Sequence, residues 1–596
     1  MNDTAHILKP VKFREFPTTF LFLDTETTLT DIGHKSKLHK LKMGVCQRFE
    51  RDLDNQLNFK DEIIINHKTE FMRWLLPQPK VKSHLYIIAH NVVYDATILD
   101  LFRSLPKAGY ILQSIYSKGQ VCIVRFSKGD RKISLLDNGN IFGGALERWG
   151  KIFNVPKITI DFSTCTNPEL ETYCRRDVEI MVKCWQTWIG FIVKNDCGGF
   201  RETVGSTAFN TWRYKYLKRD VYVHKKKEVL ELERAGYHGG RVEVFKQGRM
   251  WTDNYYYLDI NNMYGYIMQN GLFPVGLQGH SKTLGLKRMV SYLNRYSVMA
   301  RVVLNTDEPV YITKVNGHTA YPLGRFETVL STQEIIHALR HGHLESASEF
   351  SWYKQADLFR EYVTDFYSLR LAYREQANTG FEQICKLLIN SLYGKFGQTG
   401  LTQSIIGKAA YNEIWHTPIL NAQTGAKSYQ TALGGSVYET ITNGESYHAI
   451  PAIAAHVTAN ARLYLYGLIK KAGFENVFYC DTDSLIVNRM GYYNLEELIE
   501  PDTLGKLKIE LRSPWLIVNA PKDYEMAGRL KIKGIRNNAI QINDNTFLQE
   551  QWVKLAGLIR QGFTQGYTSH TIEKHQQRVI TSGVVTDSGR VEPFRL

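Results

Sequence analysis

Two acidic residues stand inside an apolar segment near the start of the chain. Asp24 and Glu26 lie two residues apart in FLFLDTET (20–27), which is typical of a buried strand, so both carboxylates point to one face. Burying charged carboxylates is costly unless a cation lies beside them, and a divalent metal ion suits oxygen ligands of this kind. The pair therefore predicts a metal site.

Two further carboxylates can join this site. Asp95 comes shortly after the apolar run HLYIIA (84–89). Asp177 lies four residues after Tyr173, on the same face of a predicted helix. Four carboxylates can hold two metal ions about 4 Å apart, one of which activates a water molecule that Tyr173 would orient. Each carboxylate alone is more often a helix cap or a surface group, but the ordered set on strand, loop and helix favours the metal site.

A second acidic cluster is predicted in the C-terminal half. Asp481 and Asp483 are two residues apart in VFYCDTDSLIV (477–487), which we predict to be one apolar strand. Asp259 ends a second apolar strand, YYYLDI (255–260). If these strands are neighbours, Asp259 and Asp483 would share two metal ions that activate an attacking hydroxyl and stabilise a leaving phosphate group. A lone DTD is commonly a turn or a calcium loop, but the apolar residues on both sides argue against an exposed turn.

A predicted helix between these aspartates carries polar side chains at helical spacing. Lys386, Asn390 and Tyr393 fall on one face of KLLINSLYG. The other face is apolar and typical of packing; it comprises Cys385, Leu388, Ile389 and Leu392. A cation, an amide and an aromatic ring on one face suit a nucleoside triphosphate, and the alternative is an ordinary solvated helix face.

The composition is that of a large globular protein with a basic balance of charge. The chain has 596 residues, 43% apolar and 22% charged, and ~150 residues per domain predicts about four structural units. The 74 Lys and Arg residues exceed the 59 Asp and Glu residues by 15, which suggests a polyanionic partner, nucleic acid first. None of the eight cysteines forms a CxxC pair, which disfavours a zinc ribbon, and no stretch is as long and apolar as a membrane span. We therefore expect a soluble protein of a reducing compartment.

Alternating strands and helices must position these side chains. The turn-rich stretch KNDCGG (194–199) indicates a first domain boundary. Residues 399–446 are rich in Gly, Thr, Gln and Ser and are expected to form a hairpin-bearing insertion. The other predicted elements are a helix at 169–192, two strands within 298–315, a helix at 331–342, two helices within 361–397 and a helix at 451–471.

The N-terminal carboxylates form a recognisable set of motifs. D-x-E at Asp24, N-x-x-x-D at Asn91 and Y-x-x-x-D at Tyr173 resemble, in order, the three exonuclease motifs of proofreading DNA polymerases. The resemblance implies metal ligands at Asp24, Glu26, Asp95 and Asp177. It implies single-strand DNA contacts at Thr27, His90, Asn91 and Tyr94. Either Arg148 or Lys151 would stand where the family has a catalytic lysine.

The C-terminal motifs resemble motifs A, B and C of the B-family DNA polymerases. Motif B (KxxxNSLYG) and motif C (YCDTDS) are intact, whereas motif A (DINNMYG) departs from the family's D-x-x-S-L-Y-P at Asn262, Met263 and Gly265. The departure keeps the metal ligand but leaves open how the segment after the strand packs. The resemblance implies catalytic residues at Asp259, Asp481 and Asp483, of which Asp259 and Asp483 are the metal ligands.

The same resemblance implies a nucleotide site and a primer contact. Tyr264 would stack on the sugar of the incoming nucleotide and exclude ribonucleotides. Triphosphate contacts are implied at Lys386 and Arg374, and the shape of the nucleotide site at Asn390 and Tyr393. Lys522 and Tyr524 of KDY resemble a motif that grips the primer strand of the DNA.

The spacing of the motifs resembles that of one subgroup. The gaps from motif A to motif B (386 − 259 = 127 residues) and from motif B to motif C (481 − 390 = 91 residues) each leave room for an insertion. Tyr237, Gly239 and Gly240 match the DNA-binding YxGG motif of the protein-primed B-family polymerases of small linear-genome phages and linear plasmids, and 458–462 resembles their TAxAR segment. By this resemblance the first insertion contacts a terminal protein that primes synthesis. The second would encircle DNA and give processivity and strand displacement.

The implied fold is α/β and α+β: an RNase H-like exonuclease domain followed by a right-hand polymerase domain of palm, fingers and thumb with two insertions. Its expected parts are an exonuclease domain 1–198, a first part of the palm 199–273 with the linker 237–240, a first insertion 274–360, fingers 361–398, a second insertion 399–446, a second part of the palm 447–535 and a thumb 536–596.

We therefore predict a DNA-directed DNA polymerase with 3′–5′ exonuclease activity, using dNTPs and two Mg²⁺ or Mn²⁺ ions per active site. It would act as a monomer on primer-template DNA and single strands in the cytoplasm of a host cell, without a membrane, and use a terminal protein as primer. One alternative is a B-family polymerase that starts without a protein primer. Alternatives from other classes are a metal-dependent nuclease whose C-terminal half only binds nucleic acid, and a non-catalytic replication scaffold, which leaves both acidic clusters unexplained.

Overall fold

The computed structural model describes residues 6–421, 427–442, 444–562 and 566–596. Residues 1–5 of the predicted exonuclease domain, 422–426 and 443 of the predicted second insertion and 563–565 of the predicted thumb lie outside the described residues. Within the described ranges, no helix combines the length and the apolarity needed to cross a bilayer.

A ten-stranded mixed sheet dominates the N-terminal part. Its central strand Thr19–Asp31 pairs in parallel with His84–Ala89, which pairs in parallel with Arg131–Asp137. These strands are nearly continuous apolar runs because the core covers both faces of a parallel sheet. Helix Asn167–Lys194 begins with a capping box and packs on the central strand. The strands predicted at 20–27 and 84–89 and the helix predicted at 169–192 are therefore confirmed.

The remaining elements of this part complete the sheet and its helical cover. The strands are Ser36–Arg51, Leu57–Ile65, Ile111–Lys118 and Val121–Lys128, and the helices are Lys68–Leu75, Val92–Ile98, Leu101–Lys107 and Leu146–Ile152.

Strands from the C-terminal end extend the same sheet. Tyr567–His575 pairs antiparallel with the first residues of Ser36–Arg51, and Thr546–Trp552 and Ile540–Asn543 follow outward. Part of the segment predicted as the thumb is thus hydrogen-bonded to the N-terminal sheet.

A five-stranded antiparallel sheet carries the second acidic cluster. Its order is Val242–Val244, Val477–Asp481, Ser484–Val487, Tyr255–Ile260 and Leu507–Ser513. The prediction of one continuous strand at 477–487 is wrong, because the chain reverses at Thr482 and Asp483 and Asp481 pairs with Ser484. Thr482 has a φ of 64°, and two-residue hairpin loops favour a positive φ at their first position. The turn is half-buried, so its aspartates still face partly into the protein.

The predicted first insertion folds as a four-stranded antiparallel sheet. The order is Phe273–Ser281, Leu344–Ala356, Tyr296–Thr306 and Gly324–Ser331, with helices Leu286–Tyr292 and Thr332–Arg340 and a hairpin of Thr313–Val315 and His318–Ala320. Helix Thr332–Arg340 packs on helix Pro451–Ala472. The helices predicted at 331–342 and 451–471 and the two strands predicted within 298–315 are confirmed.

The segment between motifs A and C contains the two predicted fingers helices and the hairpin-bearing insertion. Helices Arg360–Glu375 and Thr379–Ser391 pack together. The insertion is a four-stranded sheet in the order Thr402–Lys408, Ser436–Ile441, Lys427–Leu433 and Trp415–Leu420. The hydroxyl of Tyr438 donates a 2.5 Å hydrogen bond to the carbonyl of Leu112, which fastens this sheet to the N-terminal part.

Short elements connect these units. The helices are Val204–Thr211, Lys227–Gly236, Met263–Asn270, Arg489–Leu495 and Leu555–Arg560, with a π-helical turn at Trp212–Tyr216 and 3₁₀ turns at Asn138–Asn140, Tyr393–Lys395, Phe474–Asn476 and Glu496–Leu498. The strands are His6–Ile7, Tyr222–Val223, Gly248–Met250, Leu516–Ala520, Asp523–Met526, Arg529–Ile532, Gly583–Val585 and Val591–Pro593.

Candidate active sites

Three carboxylates converge on the N-terminal sheet. Carboxylate oxygens of Asp24, Glu26 and Asp177 lie within 4.8 Å of one another. Burial and the neighbouring carboxylates raise the pKa of both Asp24 and Glu26 well above the ordinary range. In the described part of the chain, Asp24 Oδ2 and Asp177 Oδ1 are buried without a hydrogen-bond partner. Divalent cations fit this site, because they supply the positive charge that these oxygens lack.

Asp95, the fourth predicted ligand, lies beside these three carboxylates. It is buried in helix Val92–Ile98, and its Oδ1 accepts a 2.7 Å hydrogen bond from the hydroxyl of Thr25. Burial and the charge of Asp24 raise the pKa of Asp95 well above its usual value. Thr25 thus holds Asp95 next to the strand that carries Asp24.

Lys157, which the sequence analysis missed, is a cation that pairs directly with this cluster. Its ammonium group forms an ion pair with Asp177 and lies 4.7 Å from the ring centroid of Tyr173. Burial lowers the pKa of Lys157, but Asp177 outweighs this effect and raises the pKa overall. The expectation of Arg148 or Lys151 here is wrong: the first lies over a neighbouring tryptophan ring, and the second pairs with a glutamate on the surface. The available signal was a lone lysine in the apolar stretch NVPKITI, 20 residues before Asp177.

Two of the predicted single-strand contacts form one aromatic cluster with the C-terminal strands. The hydroxyls of Thr27 and Tyr94 lie 2.7 Å apart, and His39 Nδ1 is 3.2 Å from the Tyr94 hydroxyl. The Tyr94 ring meets Tyr567 at 4.8 Å and Trp552 at 5.4 Å between centroids. Tyr567 and Trp552 were missed because they are more than 450 residues away along the chain.

The other two predicted contacts, His90 and Asn91, line an open cavity between the N-terminal sheet and the C-terminal segment. The cavity has a volume of about 980 Å³. Its basic and aromatic lining from the C-terminal segment comprises Arg536, Trp552, Lys554 and Tyr567. Aromatic faces and cations are the groups on which single-stranded nucleic acids stack and pair.

The five-stranded sheet brings Asp259 and Asp483 together. The backbone N–H of Ile260 donates to the carbonyl of Asp483 at 2.7 Å, so the two acidic positions are adjacent. Burial, then the charge of Asp259, raises the pKa of Asp483 to about 6. Lys508 lies 3.3 Å from Asp259 and partly balances its charge. Two crowded carboxylates with raised pKa values fit shared divalent cations.

Asp481, the third predicted catalytic aspartate, is held by lysines. Lys522 Nζ lies 3.3 Å and Lys531 Nζ 3.9 Å from its carboxylate oxygens. Lys522 belongs to the KDY segment, and the Tyr524 ring of that segment packs on Tyr479 at 5.2 Å between centroids. The structure therefore joins the KDY segment to the DTD turn through Asp481.

The altered motif A packs through small and left-handed residues. Asn262 has a φ of 48°, which asparagine tolerates better than most side chains. A Cβ at Gly265 would lie 2.7 Å from Ile389 of the motif B helix, so only glycine permits this approach. The ring of Tyr264 still faces that helix and lies 4.6 Å from the ring of Tyr393. Despite the departures in motif A, Tyr264 and Tyr393, which were both predicted for the nucleotide site, lie together.

Lys386 and Asn390 lie on the half-buried side of helix Thr379–Ser391. Asp259 and Asp483 both attract the Lys386 ammonium, whose pKa is lowered chiefly by burial and then by neighbouring cations. This lysine therefore faces the acidic pair from the motif B helix.

The adjoining helix, Arg360–Glu375, carries Arg374 and a second arginine, Arg370. Arg374 pairs with Glu382 at 2.8 Å and with Asp502. Arg370 is buried, donates to Asn262 at 3.1 Å, and has no partner for its Nε within the described ranges. Arg370 lies four residues before Arg374 on the same helix, and this spacing could have indicated it. No motif, however, distinguished Arg370 from other arginines.

The YxGG linker lies against the DTD turn. A Cβ at Gly240 would meet the side chain of Thr482 at 2.7 Å. Arg462 of the TAxAR segment donates to the carbonyls of His238 and Gly239 at 3.2 and 3.1 Å. The same buried guanidinium pairs with Glu334 of the first insertion at 2.9 Å. One arginine therefore connects linker, palm and insertion.

Proteins that resemble this chain in sequence are named DNA polymerases. The family model for DNA polymerase type B, organellar and viral, matches residues 161–471, just over half of the chain. A probable DNA polymerase of Neurospora intermedia is 26% identical over 367 residues, covering 57% of this chain and 36% of that protein. A probable DNA polymerase of Ascobolus immersus is 25% identical over 513 residues, covering 80% and 40%. The DNA-directed DNA polymerase of Enterobacteria phage PRD1 is 24% identical over 297 residues, covering 48% and 49%. The chain thus spans less than half the length of these relatives.

The fold is that of a solved viral polymerase. The structure of Phi29 DNA polymerase complexed with primer-template DNA and incoming nucleotide substrates matches with a TM-score of 0.64 at 17% identity, over 94% of this chain and 100% of that chain. The complex with primer-template DNA alone matches with a TM-score of 0.62. The predicted fold, an exonuclease domain followed by palm, fingers and thumb, is confirmed. With the family model matched over more than half of its length, this chain belongs to the type B DNA polymerases, organellar and viral.

Proposed function

We propose that this chain is a DNA-directed DNA polymerase that extends primers at its palm and removes 3′ nucleotides at its N-terminal carboxylates. The observation that carries the proposal is the pair Asp259 and Asp483, brought together on the palm beside Lys386. A nuclease with a non-catalytic C-terminal half would have no use for a second cluster of this kind.

In primer extension, Asp259 and Asp483 would hold two Mg²⁺ or Mn²⁺ ions. Bound there, the ions would supply the charge that activates the primer hydroxyl and stabilises the leaving pyrophosphate. Lys386 would bind the triphosphate of a dNTP. Arg374 would bind the same triphosphate after releasing its ion pair with Glu382. Tyr264 and Tyr393 would form the floor under the sugar, with Asn390 beside them, and Lys522 and Tyr524 would hold the primer strand.

In the exonuclease reaction, the four N-terminal carboxylates would hold two further divalent ions. Lys157 would bind the scissile phosphate or its leaving charge, and Tyr173, which the lysine contacts, would orient the attacking water. The cavity lined by His90 and Asn91 would receive the unpaired 3′ end.

Protein priming is the second part of the proposal. The YxGG linker, the TAxAR arginine and an insertion between palm and fingers support it. A terminal protein would dock against the first insertion and present a hydroxyl to Asp259 and Asp483, and the second insertion would enclose DNA and displace the downstream strand. The free cysteines of the described chain suit the reducing cytoplasm of a host cell, where we expect the polymerase to act as a monomer.

Separate loss of the two activities tests the proposal. Asp24→Ala with Glu26→Ala should abolish degradation of single strands and leave primer extension, whereas Asp483→Ala should do the reverse. Asp587→Ala, at an exposed carboxylate, is the matched control. Folded variants that lose both activities together would contradict two independent sites, and an Asp483→Ala variant that still extends primers would contradict the palm assignment.

Priming is tested with a purified candidate terminal protein from the same genetic element. Labelled dNTP and Mg²⁺ should give a covalent protein–nucleotide product with the wild type and none with Asp483→Ala. Extension from DNA primers without any such product would favour a B-family polymerase that starts without a protein primer.

A further inference from the structure

A cluster of ligating side chains lies in the first insertion, outside both carboxylate sites. Ligand atoms of Glu308, His337 and His341 lie within 4.8 Å of one another. His337 belongs to helix Thr332–Arg340, and His341 follows one turn later at its C-terminal end. Glu308 lies in the segment after strand Tyr296–Thr306. Histidines four residues apart on a helix present their rings to one ligand, as in known zinc-binding helices.

Both imidazoles are already oriented through one ring nitrogen. His337 Nδ1 lies 2.9 Å from the hydroxyl of Tyr311, and His341 Nδ1 lies 2.9 Å from the carbonyl oxygen of His337. Metal-bound histidines characteristically use their second nitrogen in this way, which fixes the tautomer and the ring orientation. Among the described residues, the hydrogen bonds of both rings use Nδ1, which leaves each Nε2 atom for a metal ion.

Glu308 provides a buried carboxylate oxygen that is not fully paired. Its Oε1 lies 2.5 Å from Lys470 Nζ. Its Oε2 and the facing hydroxyl of Tyr466 are buried, and neither has a hydrogen-bond partner of ordinary geometry among the described residues. A buried unsatisfied oxygen is costly, and a cation at this position would remove that cost.

A third histidine supports the cluster rather than joining it. His343 places Nδ1 3.0 Å from the Tyr311 hydroxyl and Nε2 3.2 Å from Asp307. Because both of its nitrogens are engaged, His343 holds Tyr311 in place, and Tyr311 in turn holds His337.

We propose that Glu308, His337 and His341 bind a transition-metal ion, with Zn²⁺ as the best match. Two imidazoles and one carboxylate form a donor set that suits Zn²⁺ and leaves a fourth position for water. The partial negative charge of the helix C-terminus favours a cation there. Ligand atoms in a tetrahedral zinc site lie about 3.3 Å apart, so small side-chain rotations would close the site.

The site has a structural role. Glu308 is also paired with Lys470 of helix Pro451–Ala472, so the metal ion would connect the first insertion to the long palm helix. This inference is independent of the proposed polymerase activity, because it requires neither DNA nor nucleotide.

Metal binding by the purified 596-residue chain tests the proposal. The Asp24→Ala, Glu26→Ala, Asp483→Ala background removes carboxylates from both of the competing metal sites proposed above. Calorimetric titration of the metal-free protein with Zn²⁺ should give one tight site per chain, Zn²⁺ should raise the melting temperature, and Co²⁺ should give the visible absorption of a tetrahedral site.

Three variants locate the ion. His341→Gln, at an exposed side chain, should weaken Zn²⁺ binding at least about tenfold. Tyr311→Phe should weaken it by about 10–100-fold through loss of ring orientation. His318→Gln, an exposed histidine of the same insertion, should bind as the parent does. Equal Zn²⁺ affinity and equal thermal shift in His341→Gln and the parent would overturn the proposal, as would the absence of a tight site in the parent.

Discussion

Lysine side chains accompany the acidic residues at both candidate sites. Lys157 pairs with Asp177 in the N-terminal cluster, and Lys508 lies 3.3 Å from Asp259 on the palm. These lysines neutralise part of the charge that crowded carboxylates carry. In the proposed reactions they would lie near a phosphate group that develops charge, so they are candidates for the chemistry as well as for charge balance.

Lys157→Ala should separate these two roles at the N-terminal site. Removing a cation aimed at a developing charge typically costs about 10²–10³ in rate, so we expect a loss of this size in degradation of single strands. Primer extension should be unchanged. Lys151→Ala, at one of the two residues that the sequence offered for this site, should have wild-type rates in both assays. Equal rates for Lys157→Ala and Lys151→Ala would show that Lys157 only balances charge.

Asp483 should make the metal-free protein pH-sensitive. Its folded-state pKa is raised from 3.8 to about 6, mainly by burial, so the unfolded chain releases this proton at a lower pH than the folded chain. Stability is therefore lost as the pH rises from about 4 to about 6, and above that range the cost is at most about 3 kcal/mol. Asp483→Asn should remove the cost.

Urea unfolding with a chelator at pH 4 and pH 8 measures this effect. The variant should be more stable than the wild type at pH 8 and similar to it at pH 4. Added Mg²⁺ should raise the stability of the wild type more than that of the variant. A difference between the two proteins that does not change with pH would contradict the assigned burial of Asp483.

At the scale of elements, the four-stranded sheet of the second insertion is fixed to the N-terminal part, although the two are far apart in the sequence. Ile414, Leu433 and Tyr438 of the second insertion share a hydrophobic core with Leu112. Deleting the whole insertion would expose that core. The outer hairpin is separable, because Pro418 and Tyr429 face each other across Trp415–Leu420 and Lys427–Leu433.

Replacing residues 419–428 with Asn-Gly should shorten this hairpin without changing its register, since two-residue loops of this type join facing strand ends. We expect gap filling by short extension to continue. Synthesis through a downstream duplex should fall sharply, and products made in the presence of a DNA trap should shorten, because the hairpin would no longer separate the strands. A Ser428→Ala variant is the control. Undiminished strand displacement by the shortened protein would count against the proposed role of the insertion.

At the scale of the whole molecule, an N-terminal strand and a C-terminal strand pair in one sheet. Tyr567–His575 pairs with Ser36–Arg51, so the exonuclease part and the C-terminal segment enclose the cavity of about 980 Å³ between them. The chain also carries an excess of 15 positive charges. Both features suit a protein that holds a polyanion between its parts.

Binding to primer-template DNA should therefore depend steeply on salt. A protein that neutralises 6–10 phosphates loses about 10³–10⁵ in affinity between 50 and 200 mM salt. We expect a loss in this range for the Asp24→Ala, Glu26→Ala protein, which cannot degrade the probe. Fluorescence anisotropy with labelled DNA measures it, and single-stranded DNA of equal length is the comparison. A flat salt dependence would contradict a DNA-binding surface that contacts many phosphates.

The sequence by itself determined the local elements and the identity of the acidic residues. Apolar runs fixed the strands that carry Asp24 and Asp259, and helical spacing fixed the faces of the helices around Tyr173 and Lys386. Motif order then indicated the polymerase family, which the comparisons confirm. These features depend on neighbours within a few turns or strands, so they can be read from short segments.

The tertiary structure alone decided which distant side chains meet. Thr482 reverses the chain in a turn that its apolar flanks concealed, and Lys157 reaches Asp177 from a loop without periodicity. Tyr567 joins Tyr94 across more than 450 residues, and Glu308 meets His337 only when the first insertion folds. Such contacts arise from packing between separate units, and packing depends on the shape of the whole core rather than on any local pattern.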